Sequence, residues 1–228
     1  MCRDFAMELD WEAVGTGFAI KDIDLDNLPI PTFSVVPHQT IGVIAQGRDG
    51  NRHLTGGHWS FVPRWSPTMK LRFTTYNARM EAAPHTPTYM EATHSARAII
   101  PASGYFEFNR RTPFYFHDAT GAPLSMAGLY SWWRGSSAAP WTLTATILTC
   151  YAIEGPATVH NRMPLLVPDD MVDDWLDPFK DGAPQLRAIY EGGKQLSSAL
   201  DFYEVAPLKG TGPKLIEPVH HQQPLSLF

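Results

Sequence analysis

Prolines and glycines interrupt this chain along its whole length, and that spacing limits what it can build. Proline fixes φ and lacks an N–H, while glycine lets the backbone turn tightly, so long regular elements are disfavoured. With 20 prolines and 17 glycines spread over 228 residues, the chain is restricted to many short elements joined by turns. That pattern suits a β-rich fold better than a helical bundle. The length allows one large domain or two small ones, and no repeat or linker divides it. An apolar content of 44%, with 12% aromatic residues, is ample for a packed core.

Alternation and turn signals predict strands at 42–46, 71–76, 98–100, 104–108, 113–117, 124–133 and 141–151. A further aromatic strand is expected to follow a tight glycine turn at Gly56-Gly57. Residues 86–96 read as a short helix with Thr86 as N-cap and Pro87 at its first position. Asp169-Asp170 reads as a second helix start, and 184–190 as a third helix stopped by Gly192-Gly193. Strands and helices mix without βαβ alternation, so the expected class is α+β around an antiparallel sheet.

The net charge of −5 argues against a generic nucleic-acid coat, so any such contact must rest on a local cluster of Arg and Lys. No apolar run approaches the roughly 18 residues of a membrane helix. Met1-Cys2-Arg3-Asp4-Phe5 has no signal-peptide character, and a cytoplasmic protein without a membrane partner is expected. Two cysteines, Cys2 and Cys150, are too few for a disulfide framework or a zinc site. No phosphate-binding glycine loop or His/Cys cluster is present, so neither metal nor cofactor is expected.

Four short segments carry residues suited to chemistry. Once the initiator Met is removed, Cys2 becomes a 1,2-aminothiol, with an amine of pKa about 7.7–8.0 and a thiol of about 8.5. Such a group condenses with an aldehyde to an imine and closes to a thiazolidine; an internal cysteine cannot, because its nitrogen is in an amide. In Asn77-Ala78-Arg79-Met80-Glu81, Asn offers a donor and an acceptor and Arg a fork suited to phosphate. The same residues also suit an ordinary turn with a solvated Arg. Glu107 lies between Phe106 and Phe108: pointing inward it would be suited to proton transfer, and pointing outward it would be a wet-face residue. His160, beside Asn161 and Arg162, is either structural or placed to polarise a reacting oxygen.

Together and in this order these pieces resemble the SOS-response-associated peptidase (SRAP) family. The resemblance runs from Met1-Cys2 through Phe33 to Pro37, Trp59 with Pro63-Arg64-Trp65, and Asn77-Ala78-Arg79 with Glu81. It continues through Arg97, Ile100-Pro101-Ala102 and Gly104-Tyr105-Phe106-Glu107 to His160-Asn161-Arg162-Met163-Pro164 and Trp175-Leu176. It implies a single α+β domain over 1–228, with a barrel-like antiparallel sheet and peripheral helices. It also implies a monomer that binds single-stranded DNA and bonds covalently to the ring-opened aldehyde of an abasic site.

By the same resemblance Cys2 would be the nucleophile, and Asn77 would hold the Cys2 end and the sugar. Glu107 would transfer protons, and His160 would act on the sugar hydroxyl or ring oxygen. Arg3, Arg79, Arg97 and Arg162 would contact DNA, and Trp65 would stack on bases. Weak lyase activity, reversal of the link and self-removal of Met1 are implied as side activities. Arg3-Asp4 follows Cys2 where the family usually reads Gly-Arg, which puts an acid close to the expected phosphate path. Two other functions compete: a non-covalent reader of single-stranded DNA or a modified base, and a Cys2-dependent autopeptidase.

Overall fold

A computed structural model describes residues 3–20 and 22–219. In chain order the first elements are β1 (Asp4–Met7), α1 (Trp11–Gly17), β2 (Asp22–Ile23), β3 (Thr32–Val35), β4 (Thr40–Gln46), β5 (Arg52–Trp59) and β6 (Asn77–Arg79). Then come α2 (Met90–Ser95), β7 (Arg97–Ala102), β8 (Gly104–Asn109), β9 (Thr112–Asp118), β10 (Leu124–Trp133) and β11 (Thr142–Tyr151). The last part holds α3 (Glu154–Val159), β12 (Arg162–Pro164), α4 (Val172–Leu176), α5 (Gly182–Gly192), α6 (Lys194–Ser198) and β13 (Leu200–Glu204). The α+β expectation holds, with short helices around the sheets.

Strands β5, β4, β7, β10 and β11 pair in that order, and β11 returns to β5 to close a five-stranded barrel. A ring with an odd number of strands cannot be antiparallel throughout, because direction would have to alternate at every step. The β11–β5 pair is the parallel one, with Thr144 opposite His58 and Ala145 opposite Trp59. Further along β11, β6 takes up the same parallel pairing, with Asn77 opposite Ile147 and Arg79 opposite Thr149. Residues 60–76 are therefore an excursion that leaves β11 and rejoins it.

An antiparallel sheet in the order β13-β9-β8-β1-β3 packs against the barrel. One face of it contributes Phe5, Tyr105 and Phe116 to the main core, which also holds Trp59, Ile99, Met126 and Ile147. The other face carries a smaller cluster of Ala6, Phe106, Tyr115, Val205 and Leu215. Phe5 meets Trp59 edge-on at 4.9 Å between centroids, which ties the sheet to the barrel. Burying each of these large side chains stabilises the fold by about 1.5–3 kcal/mol.

Three local expectations need correction. Gly56 and Gly57 lie inside β5 rather than in a turn: a side chain at Gly56 would collide with the Asn27 carbonyl, and one at Gly57 would press on Val43 and Leu143. Residues 71–76 are not a strand, since the adjoining edge of β11 is taken by β6. The helix expected over 86–96 is confined to Met90–Ser95, because the Thr86 hydroxyl donates back to the Ala82 carbonyl at 2.8 Å instead of capping. Four elements were unforeseen at the start of the chain: β1, β2, β3, and α1 with Asp10 as its N-cap, accepting from Glu12 N at 2.9 Å.

Candidate active site

Cys2 lies outside the described residues, so the site is built from the chain that follows it. Strand β1 enters between β3 and β8 with Asp4 opposite Phe106 and Phe5 opposite Tyr105. Continuing that register by one residue sets Arg3 beside Glu107. Alternation on β8 separates its side chains: Phe106 points into the small cluster, Phe108 is 37% exposed, and Glu107, between them, is only 3% exposed. Of the two orientations open in the sequence, the inward one is realised.

One partner of Glu107 among the described residues is His160, with Nδ1 at 3.9 Å from Oε2. His160 ends α3 and precedes β12, where the chain turns into the β11 ladder. The Arg162 backbone N–H donates to His160 Nδ1 at 3.0 Å. Nδ1 also lies 3.1 Å from the Arg162 carbonyl, so it accepts from the amide in one neutral tautomer and donates to the carbonyl in the other. Protonation of Nδ1 would turn an N–H toward Glu107 and the Arg162 carbonyl, 3.1 Å away. A ring held between a carboxylate and a backbone amide can move a proton without moving itself.

Arg162 anchors this corner. Its side chain is 6% exposed and donates to Glu81 at 2.6 and 3.1 Å and to the Thr149 carbonyl at 2.6 Å, while lying over Tyr151. Partial burial tends to raise the Glu81 carboxyl, but the hydrogen bonds and charge of Arg162, helped by Arg79, hold it below the usual range. The expectation that Arg162 grips phosphate is corrected: its fork is closed on Glu81 and β11. Asn77 begins β6 next to Tyr76, whose carbonyl accepts from the Trp59 indole at 2.8 Å. Trp59 packs on Phe5, so Asn77 is linked to the strand that leads in from Cys2.

Arg97 is also corrected. It is 2% exposed and donates to the carbonyls of Trp175, His94, Asp177 and Lys180, closing the end of α4. It cannot reach a phosphate. Arg97→Met is expected to cost about 3–5 kcal/mol, because buried carbonyls lose a charged donor. Thermal unfolding should show Tm lower by roughly 10 °C, with DNA affinity of the folded protein unchanged.

Arg3 and Arg79 are exposed, and Trp65 is 60% exposed on the 60–76 excursion. The same excursion exposes Phe73 at 57% and Met69 at 37%, interleaved with exposed Arg64, Lys70 and Arg72. Sequence reasoning passed over Phe73, Lys70 and Arg72, although one signal was available: residues 50–80 contain no Asp or Glu in an otherwise acidic chain.

Asp4 accepts from the Ser34 hydroxyl at 3.0 Å. Burial pushes its carboxyl up to about 6, against the lowering pull of Ser34 and the Phe5 backbone. The ordinary value is about 3.9. Between those values the folded chain keeps a proton that the unfolded chain has released. The contribution of Asp4 to stability therefore falls as pH rises from about 4 to about 6 and is level above that. Asp4→Asn should remove this slope and raise stability at pH 7 by about 1–2 kcal/mol after screening, as read from urea melts across pH.

Among the described residues no group of three or more His, Cys, Asp or Glu is placed to hold a metal, and no helix is long and apolar enough to cross a membrane. Comparison with known proteins adds the family. The abasic site processing protein YoqW of Bacillus subtilis is 26% identical over 226 residues, covering 95% of this chain and 99% of the relative. The abasic site processing protein YedK of Escherichia coli is 28% identical over 231 residues, covering 96% and 100%. A solved structure from Bordetella bronchiseptica is 26% identical, with a TM-score of 0.74, over 90% of this chain and all of the other. The family model described as SOS response associated peptidase (SRAP) matches residues 1–210, and the chain belongs to that family.

Proposed function

We propose that this protein processes abasic sites by bonding covalently, through Cys2, to the lesion in single-stranded DNA. The observation that carries this is the buried Glu107 facing His160, beside the point where the chain from Cys2 enters the sheet. The names of YoqW and YedK agree with the substrate.

The steps balance without a co-reactant. The Cys2 amine attacks the C1′ aldehyde, Glu107 takes the proton released from nitrogen, and its acid form returns a proton to the departing hydroxyl. One water leaves and an imine remains. The Cys2 sulfur then adds to the imine carbon while nitrogen gains a proton, giving a thiazolidine that cannot proceed to β-elimination. In this reading His160 polarises the sugar oxygen that opens, and Asn77 holds the sugar. Glu107 and His160 also suit the reverse reaction, and an imine that escapes closure gives weak lyase activity. Trp65, with Phe73, offers stacking faces, while Arg3, Arg64, Lys70, Arg72 and Arg79 meet phosphates.

A denaturing gel tests this with one oligonucleotide carrying an abasic site and a matched undamaged strand. A heat-stable shifted band is expected with the abasic strand alone. Binding of both strands in native gels with no such band would favour the non-covalent reader.

A further inference from the structure

Two histidines that the proposed chemistry does not use face each other beside the 60–76 excursion. The rings of His38 and His58 lie 5.7 Å apart between centroids, tilted by 35°. His38 precedes β4 with a φ of 76°, a left-handed conformation that disfavours any residue with a side chain. Its backbone N–H donates to the Trp59 carbonyl at 2.9 Å, which fixes it beside β5. His58 lies within β5, opposite Thr40 of β4 and Thr144 of β11.

Both rings line a cavity of about 550 Å³ whose other wall is residues 69–74 of the excursion. Its charged or titratable lining is His38, His58, Lys70 and Arg72, and no Asp or Glu is among the described residues around it. Thr40 and Thr144, the cross-strand neighbours of His58, add no charge. Burial, and then the neighbouring His38, push the His58 imidazole below its ordinary value. Positive charge gathered on this pair, with two cations across the cavity, is unfavourable until an anion enters.

We propose that His38 and His58 form a proton-coupled phosphate site, which takes a backbone phosphate of the bound strand together with a proton from solvent. A phosphodiester keeps its single negative charge across neutral pH, so a proton taken up on binding must go to the protein. The imidazolium that forms donates an N–H to a phosphate oxygen, and the phosphate charge offsets Lys70 and Arg72. The inference rests on the proposed binding of single-stranded DNA, because Lys70, Arg72 and Phe73 belong both to the cavity and to the cationic excursion. It adds a control that such binding does not require. The complex holds a proton that the free protein has released, so affinity falls as pH rises through the imidazole range.

The test measures Kd for an undamaged fluorescent single strand, so that no covalent step contributes. Measurements at pH about 6 and about 8 bracket the imidazole range. Wild type should bind about three- to tenfold more tightly at the lower pH, as expected for uptake of one proton or less. Other groups titrate in this range, so the difference from the variants is the readout. His58→Gln and His38→Gly should match wild type at the higher pH and lose most of the gain at the lower. His38→Gly also relieves the left-handed conformation, so its Tm should not fall and a lost response is not a lost fold. Calorimetry in two buffers of different ionisation enthalpy should show proton uptake by wild type that both variants lack.

An equal pH response in wild type and both variants, or equal weakening of the variants at both pH values, would overturn the proton-coupled site. Binding of the strand in those cases leaves the proposed function standing. A strand that binds at neither pH sinks the proposed function, and the coupled site with it.

Discussion

Cys2→Ala is expected to leave no adduct that survives heat and detergent, a loss below detection rather than a slower rate. The alanine amine can still form an imine with the aldehyde, but no sulfur is present to close the ring. Imine formation is reversible and opens β-elimination, so the variant should convert adduct into slow strand cleavage, and borohydride should trap the imine. Cys150 cannot substitute. Its nitrogen is in a peptide bond, its side chain is 3% exposed, and burial pushes its thiol up to about 12 against the pull of Arg162. Gels of wild type and Cys2→Ala, with and without borohydride, check every part of this.

Glu107→Gln is expected to have the second largest effect. The amide keeps the shape of the side chain but cannot take or return a proton. Losing a placed general acid–base costs about 10²–10⁴ in rate. Glu107 is buried on β8 beside β1, and in the proposed chemistry it serves the reacting atoms rather than the phosphates, so affinity for the abasic strand should not change. Single-turnover time courses at saturating DNA, paired with fluorescence anisotropy, separate the two quantities. A parallel fall in affinity would make Glu107 a structural carboxylate instead.

The parts of this fold that were legible in the sequence are those governed by local rules. Strand β10 was expected at its observed bounds, since turns flank it and it pairs along its length with β7 and β11. What escaped was set by partners distant in sequence. The Gly56-Gly57 pair looks like a turn until the Asn27 carbonyl closes on it. Arg97 and Arg162 look like DNA contacts because guanidinium suits phosphate, yet each is closed on acceptors that the fold brings from elsewhere: the end of α4 for Arg97, Glu81 for Arg162.

The candidate site divides the same way. Glu107 and His160 were named from the sequence, but only the pairing of β1 with β8 decides that Glu107 faces inward. The cationic excursion was half legible: Trp65 was singled out, while Phe73, Lys70 and Arg72 became informative once 60–76 proved to be a loop.

The most direct test is mass spectrometry of the isolated adduct after proteolysis. An adduct on the peptide that begins at Cys2, lacking Met1 and heavier by the abasic strand less one water, is the predicted result. Its thiol should be unavailable to alkylation, and its mass unchanged by borohydride. Attachment to a lysine, to Cys150, or to a peptide that still carries Met1 would contradict the account.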